Sequence, residues 1–274
     1  MAALVARIWW LRVTTIAHIS DLHFPCVSER ACENLRHRLN EVRPGVVVVS
    51  GDLTQRGRER QYASAFAYLG QLPHPRIVIP GNHDVPLFDL RRRFFHPAER
   101  FLRLICDDPM PVHRDDELLI VGVNSTRAWT LDWRGFWKNG TLSPRQLDDL
   151  RARFASATPA QLRVLAMHHP LVNPWDDSSR DTARHRTRIL HALRDCGVDV
   201  VLSGHLHKAY ARNAPASGRP ILCIQCGTTT STRLRDEANA FNLLTWDSGR
   251  LTLQVMRFDG HRFEPEVPQQ FQLR

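Results

Sequence analysis

The chain has 274 residues, of which 43% are apolar, and its formal net charge is +9 at pH 7. This length and apolar content are enough to build a sizeable core, which excludes a disordered or fibrous chain. The charge favours anionic partners such as nucleotides, phosphodiesters, nucleic acid or anionic lipid, although an arginine-rich genome composition explains it equally well. No apolar run reaches the roughly 20 residues that a membrane-spanning helix needs.

The predicted elements follow a simple order along the chain. Up to Gly204, short apolar strands alternate with amphipathic helices, which predicts an α/β fold whose helices cover a largely parallel sheet. After Gly204 only strands follow, near Ala209, Ile221, Phe241 and Leu251, and we expect them to form an antiparallel half sheet packed against the first. The earlier strands are predicted at Val13 to Ile19, Val46 to Ser50, Arg76 to Ile79, Leu118 to Val123, Arg163 to Met167 and Val198 to Leu202. The helices are predicted at Glu29 to Val42, Arg58 to Leu69, Leu87 to Ile105, Pro144 to Phe154 and Thr182 to Cys196.

The six cysteines are spaced too unevenly for a disulfide framework and favour a reducing compartment. The apolar stretch from Ala2 to Leu11 is interrupted by Arg7 and lacks a small-residue cleavage site, so we expect a cytoplasmic protein without a signal peptide. Cys223 and Cys226 have the C-x-x-C spacing of a redox pair or half a zinc site. They fall in an apolar run that predicts a buried strand, where residues three apart point to opposite faces, and a structural role is favoured.

Five of the six earlier strands end in a small polar cluster, and ligands of α/β sheets bind beyond the carboxyl ends of strands. After an extended segment, Asp21 and His23 can face the same way and bind one ion. Any single cluster has an ordinary explanation, such as a helix cap, a turn or a hydrogen-bonded core histidine. Five clusters of oxygen and nitrogen ligands instead predict a metal centre. They are Asp21-Leu22-His23, Gly51-Asp52, Gly81-Asn82-His83-Asp84, His168-His169-Pro170 and Gly204-His205-Leu206-His207.

These clusters closely resemble the ordered motifs D-x-H, G-D, G-N-H-[DE], H-x-P and G-H-x-H of the calcineurin-like metallophosphoesterases. The resemblance implies a four-layer αββα sandwich of two mixed sheets flanked by helices, formed by residues 1–274 as a single domain. It also implies that Asp21, His23 and His207 bind one metal ion, that Asn82, His168 and His205 bind a second, and that Asp52 bridges both. His83 would bind no metal and would act on the phosphoryl group beside Asp52. Asp84 would fix an imidazole tautomer or cap the next helix.

The implied chemistry is attack of a metal-bridging hydroxide on phosphorus, with two ions neutralising the phosphate charge. Purple acid phosphatases carry a tyrosine ligand where this chain has Gln55, so no purple ferric site is expected. The remaining ligands suit manganese, iron, zinc or cobalt, as two divalent ions or a divalent and trivalent pair.

The motifs look most like the bacterial branch that contains class III cyclic nucleotide and glycerophosphodiester phosphodiesterases, which implies a small anionic phosphoester substrate. A metal-dependent nuclease shares the motifs and suits the basic charge, but it usually needs a further DNA-binding or capping domain, so nucleic acid is not favoured. A nucleotide-lipid pyrophosphohydrolase would resemble G-N-R-D rather than Gly81-Asn82-His83-Asp84. A non-catalytic scaffold is least favoured because no ligand is missing. Peripheral membrane contact and a homo-oligomer are left open.

Two segments between the motifs are candidate caps, residues 85–117 and 124–141. The first contains a basic, aromatic helix that can meet an anionic substrate or lipid, although a solvated basic face is the commoner outcome. The second can stack a base and hold phosphate, or else form a local core or subunit interface. Its aromatic and basic residues are Trp129, Trp133, Phe136 and Trp137 with Arg127, Arg134 and Lys138.

Overall fold

The computed structural model describes residues 14–127, 139–175, 181–215, 218–234 and 236–273. Within them lie six α-helices, α1 (Glu29–Val42), α2 (Glu59–Leu69), α3 (Leu90–Phe95), α4 (Glu99–Leu104), α5 (Pro144–Ala155) and α6 (Arg186–Asp195), with a 3₁₀ turn at Asn82–Asp84. The strands are β1 (Thr14–Ile19), β2 (Val46–Val49), β3 (Arg76–Val78), β4 (Val112–Arg114), β5 (Leu118–Gly122), β6 (Leu162–Ala166), β7 (Val200–Ser203), β8 (Tyr210–Asn213), β9 (Leu222–Gln225), β10 (Ala240–Asp247), β11 (Arg250–Phe258), β12 (Phe263–Pro265) and β13 (Gln269–Gln272).

The strands form two mixed sheets. The first has the order β12-β11-β10-β1-β2-β3, with β13 also paired to β11, and the second has the order β4-β5-β6-β7-β9-β8. β1, β2 and β3 run parallel, as do β5, β6, β7 and β9. Parallel strands are buried on both faces, which is why β2 consists of four buried valines. In both sheets, the loops that follow the parallel strands begin at the carboxyl ends of those strands.

An apolar layer fills the space between the sheets, and each outer face is covered by helices. Trp246, Ile16 and Val48 of the first sheet belong to the same buried cluster as Ile120 and Leu202 of the second. The outer face of the first sheet packs against apolar residues of α1, α2 and α4, and that of the second packs against α5 and α6. The predicted αββα sandwich is confirmed.

Local signals explain the helix boundaries. The Ser28 side chain accepts a hydrogen bond from the Ala31 amide and starts α1, and Ser143 forms a capping box with Gln146 at the start of α5. α6 begins four residues later than predicted, at Arg186. The single helix predicted from Leu87 to Ile105 is wrong. It is divided into α3 and α4 around Pro97, which disfavours helical backbone at the preceding His96.

The prediction of a separate C-terminal half sheet is also wrong. β8 and β9 extend the second sheet, where β9 runs parallel to β7, whereas β10 and β11 join the first sheet through antiparallel pairing of β10 with β1. The strand positions were evident from apolar runs, but the pairing partners depend on tertiary contacts. Val13, the residues from Ala2 to Leu11, and the aromatic and basic residues from Trp129 to Lys138 lie outside the described part of the chain.

All six cysteines carry free thiols. Cys223 packs in the layer between the second sheet and its helices, whereas the Cys226 thiol lies against the His18 carbonyl on the other side. The predicted opposite orientation is confirmed, and burial raises the pKa of the Cys223 thiol to about 12. Across the described ranges, none of the helices combines the length and apolar character required to cross a bilayer.

Candidate metal centre

The loops that follow β1, β2, β3, β6 and β7 meet at one edge of the two sheets, and they carry all the predicted site residues. Three of these strands belong to the first sheet and two to the second, so the site lies across both. Asp21, His23, Asp52, Asn82, His168 and His207 are buried, and His83 and His205 are half-buried.

The first group consists of Asp21, His23 and His207. The Nε2 atom of His207 lies 3.3 Å from Asp21 Oδ1 and 3.2 Å from His23 Nε2, which is itself 3.6 Å from Asp21 Oδ1. Asp21 Oδ2 accepts hydrogen bonds from the Ser20 hydroxyl and the His205 amide, but the buried Oδ1 atom has no hydrogen-bond partner. Burial raises the pKa of Asp21. The neighbouring His207 and His23 lower it by a larger amount, so the pKa lies well below its usual range.

The second group consists of Asn82, His168 and His205. Asn82 Oδ1 lies 3.1 Å from His168 Nε2 and 2.9 Å from His205 Nδ1. Burial lowers the pKa of His205 to about 3, and the neighbouring His168 contributes to the same effect. His169 stands beside this group, and its Nδ1 atom pairs with the Ser125 hydroxyl at 2.8 Å. The contacts of His168 Nε2 with Asn82 and Asp52 favour His168 over His169 as the residue that faces the centre.

Asp52 lies between the two groups. Its Oδ2 atom is 3.8 Å from His23 Nε2 and 3.4 Å from His168 Nε2, and its Oδ1 atom accepts a hydrogen bond from the His83 amide. Burial lowers the pKa of His168, but the Asp52 charge and hydrogen bond raise it more, to about 9. Burial raises the pKa of Asp52, and His168 more than offsets this, so that Asp52 is a carboxylate across the physiological range.

Backbone carbonyls orient three of the imidazole rings. His168 Nδ1 donates to the Ser50 carbonyl at 2.8 Å, His207 Nδ1 donates to Arg233 at 3.3 Å, and His83 Nδ1 donates to Gln55 at 2.9 Å. In neutral His168 and His207 the Nε2 atoms then present lone pairs toward carboxylate oxygens. A proton or a cation must lie between such atoms, because lone pairs facing one another repel.

The structure assigns Asp84 a different role from the predicted one. The carboxylate contacts no imidazole and accepts hydrogen bonds from the amides of Gly81, Leu53 and Thr54 and from the Thr54 hydroxyl. It therefore ties the loop after β3 to the loop after β2. Burial and the neighbouring Asp52 raise the pKa of Asp84 to about 6 despite these bonds. The two roles predicted for Asp84 fall to other groups, because backbone carbonyls orient the imidazoles and Asp89 caps the next helix.

The site requires unusual backbone geometry. Left-handed φ angles occur at five of its residues, Asp21 (55°), His23 (57°), Asp52 (53°), His205 (82°) and His207 (61°). Asp and His tolerate this region better than β-branched residues, but it still carries strain. Two glycines permit the close approach of the loops, since a Cβ atom at Gly81 would overlap Asp52 Oδ1 and one at Gly204 would overlap Ser20 Oγ.

One supporting segment was missed by the sequence analysis. The Thr229 hydroxyl accepts a hydrogen bond from the Ser20 amide, and the Thr228 hydroxyl donates to the Asp21 carbonyl at 2.8 Å. Both threonines follow β9 and hold the loop that carries Asp21 and His23. The signal was present, because Thr228-Thr229-Thr230 is a polar cluster at the end of a buried strand, like the other five.

The donor set fits divalent metal ions. All the facing atoms are carboxylate or amide oxygens and imidazole nitrogens, and the unpartnered Asp21 Oδ1 lies where a cation would satisfy it. Asp21, His23 and His207 present ligand atoms within 4.8 Å of one another, and so do Asp21, Asp52 and His168. The edge of the two sheets is therefore suited to hold metal ions.

The chain is similar in sequence and in fold to known phosphoesterases. A "Probable cyclic nucleotide phosphodiesterase" of Rhodococcus erythropolis is 28% identical over 222 residues, covering 75% of this chain and 68% of that protein. The "3',5'-cyclic adenosine monophosphate phosphodiesterase CpdA" of Escherichia coli (strain K12) is 25% identical, covering 96% of this chain and 94% of that protein. A dimetal phosphatase of Danio rerio shares the fold, with a TM-score of 0.68, 16% identity, and coverage of 96% and 99%. The family model for calcineurin-like phosphoesterases matches residues 14–209, and the chain therefore belongs to this family of metal-dependent phosphoester hydrolases.

Proposed function

We propose that the protein is a two-metal phosphodiesterase acting on a small anionic substrate, with cyclic nucleotides preferred over glycerophosphodiesters. Asp21, His23 and His207 hold one ion and Asn82, His168 and His205 hold the other. The observation that carries the proposal is the position of Asp52, whose Oδ2 atom lies within 3.8 Å of His23 in the first group and 3.4 Å of His168 in the second. One carboxylate can thus serve both ions.

The ligand chemistry limits the choice of metals. Carboxylate, amide and imidazole ligands without a thiolate accept manganese, iron, zinc or cobalt, and availability decides among them. Gln55 stands where purple acid phosphatases carry a tyrosine ligand, so the proposal includes no ferric tyrosinate site. When bound, two such ions supply a nucleophilic hydroxide near neutral pH and neutralise charge on the phosphate.

The protein groups position the substrate and manage its protons. His83 is half-buried, and its ring lies edge-on to His23 with centroids 4.8 Å apart, so it borders the centre without being enclosed by it. Because Nδ1 donates to the Gln55 carbonyl, a second proton binds at Nε2. From Nε2 that proton can pass to the departing alkoxide, or hydrogen-bond an equatorial phosphate oxygen.

Trp175 favours a substrate with an aromatic base. Its side chain is 62% exposed, and the Lys208 Nζ atom lies 5.0 Å from its ring centroid. Lys208 directly follows His207, and Trp175 lies on the loop after β6, so both residues belong to loops that carry proposed metal ligands. The loop that carries Trp175 is held to β8, where the Tyr210 hydroxyl donates to the Val172 carbonyl at 2.8 Å. An anchored, exposed ring can stack a nucleobase, as the names of both curated relatives also suggest.

In this proposal residues 1–274 act as a single domain, with segments 85–117 and 124–141 at the edge of the site. The cytoplasmic location also stays a prediction. The first experiment is hydrolysis of bis(p-nitrophenyl) phosphate by metal-stripped protein resupplied with manganese. An Asn82→Ala variant should lose this activity, and Asn40→Ala, at an exposed position of α1, should keep it.

A substrate panel then ranks cyclic nucleotides, glycerophosphodiesters and single-stranded DNA. Faster turnover of cyclic nucleotides would support the proposal, and preferred cleavage of DNA would replace it with a nuclease. Absence of turnover with every metal would refute the catalytic assignment of the site.

A further inference from the structure

The segment that follows the metal centre carries an unusual apolar patch, formed by Leu87, Phe88, Leu90, Phe94 and Phe95. These five residues account for more than half of the nine large hydrophobic side chains that are exposed in the described residues. Phe95 is 74% exposed and Phe88 is 64% exposed. Single exposed hydrophobic residues are ordinary, but a concentration of them indicates an interaction surface.

Three arginines at the patch form no ion pair with a carboxylate of the described residues. The guanidinium groups of Arg56 and Arg58 lie over the Phe88 ring, 5.4 and 5.5 Å from its centroid. Arg91 is exposed, lies one helical turn before Phe95 on α3, and forms no ion pair with a described carboxylate. The patch and these three arginines together form a basic apolar surface.

The nearby acids are already neutralised. Asp89 pairs with Arg92 and with Arg100, each at 3.2 Å, and Glu59 pairs with Arg103. The remaining charge on this surface is therefore positive. It matches an anionic layer, with guanidinium groups at the level of the headgroups and phenylalanine rings below them.

The surface is joined firmly to the metal centre. Phe88 lies five residues after His83, and the Tyr62 hydroxyl donates to the Asp84 carbonyl between them at 2.6 Å. Arg56 follows Gln55, whose carbonyl accepts the His83 hydrogen bond. Gly57 packs against Asp84 and Pro86 so closely that a Cβ atom there would meet the Asp84 carbonyl. A partner bound to the basic apolar surface therefore lies at the His83 side of the centre.

We infer that the basic apolar surface is a docking site for anionic phospholipid membranes, and that docking places the metal centre at the membrane surface. A second copy of the chain is a poorer occupant. In a two-fold symmetric dimer the same surface meets itself, so Arg56, Arg58 and Arg91 would approach their own copies. An anionic lipid layer offers both apolar depth and opposite charge.

The test is flotation of the metal-loaded protein with vesicles of phosphatidylcholine alone and with vesicles that also contain phosphatidylglycerol. The wild type should bind only the anionic vesicles, and salt should weaken binding. Leu90→Ser with Phe95→Ser should abolish binding, and Arg91→Glu should weaken it by about tenfold. Two controls should bind as the wild type does, Val267→Ser at an 87% exposed position and Arg250→Glu at the exposed start of β11.

Hydrolysis of bis(p-nitrophenyl) phosphate checks that each variant folds, because none of these residues lies in the metal centre. Failure of the wild type to bind anionic vesicles, or equal binding by the patch variants, would overturn the inference. Light scattering provides an independent measurement. A dimer that dissociates in the Leu90 and Phe95 variant, together with no vesicle binding, would replace the membrane with a second copy of the chain.

Discussion

The Nε2 atoms of His23 and His207 face each other 3.2 Å apart beside a carboxylate oxygen that has no hydrogen-bond partner. Since the Nδ1 proton of His207 is held by the Arg233 carbonyl, its neutral ring has only a lone pair to offer at Nε2. The three atoms can lie this close only when a proton on His23 Nε2 or a bound cation lies among them.

Metal removal should therefore destabilise the protein as well as inactivate it. An ion at about 100 times its dissociation constant contributes about 2.7 kcal/mol, which corresponds to a fall of about 5–10 °C in melting temperature on chelation. Calorimetry with and without chelator measures this. Asp21→Asn should bind less metal and lose most of the shift, whereas the exposed Asp259→Asn should keep it. An unchanged melting temperature on chelation in the wild type would argue against a metal centre.

His83→Gln should lower kcat by about 10²–10⁴-fold, because the proton held at Nε2 no longer reaches the leaving group. Its metal content, measured by mass spectrometry, should equal that of the wild type. The loss should be larger for an alkyl diester than for bis(p-nitrophenyl) phosphate, since nitrophenolate departs without a proton. Equal losses with both substrates would mean that His83 positions phosphate and transfers no proton.

Asp84→Asn should destabilise the fold by about 1–3 kcal/mol, because an amide NH₂ group would face backbone donors that now bind a carboxylate. Activity should fall too, since Asp84 ties together the loops that carry Asp52 and Asn82. Urea unfolding of the metal-free protein gives the stability change. Asp149→Asn, on the exposed side of α5, is the matched control, and a similar small effect in both variants would contradict this role.

Trp175→Ala should raise KM for a cyclic nucleotide by about 5- to 150-fold, the equivalent of about 1–3 kcal/mol for one stacked base. KM for a glycerophosphodiester should stay within about twofold, because that substrate has no base to stack. Phe66→Ala, at a 59% exposed aromatic of α2, should change neither value. Equal effects on both substrates would remove Trp175 as the base platform.

Acid should destabilise the metal-free protein partly through His18. Burial lowers the pKa of His18 from 6.5 to about 3. The folded protein therefore keeps the ring neutral, and its two nitrogens form hydrogen bonds with Ser50 and Asn242. Between these values the unfolded chain binds a proton that the folded chain does not. The free energy of unfolding should thus fall by up to about 1.4 kcal/mol per pH unit as the pH drops below about 6.5. Urea titrations at a series of pH values should show a shallower slope for His18→Gln and an unchanged slope for the exposed His37→Gln. Equal slopes in His18→Gln and the wild type would contradict this.

The elements that could be predicted from the sequence are those with local causes. α1 begins and ends where predicted because a serine cap and an apolar stripe define it. The predicted site residues come together because parallel strands deliver their carboxyl ends to one edge. The partners of β8 to β11 and the role of Asp84 could not be predicted. Both depend on which loops meet in space, and nothing in Gly81-Asn82-His83-Asp84 indicates that its carboxylate binds the loop after β2.

The residues of the centre that have left-handed backbone angles limit how far the stability of this fold can be raised. At about 1 kcal/mol each, Asp21, His23, Asp52, His205 and His207 together cost about 5 kcal/mol, which is comparable to the whole net stability of a small domain. Glycine at these positions would relieve the backbone and remove the ligands in the same change. We therefore expect heat-resistant relatives to gain their stability in the sheets and helices, and the loops of the candidate metal centre to be the last part of the chain to tolerate replacement.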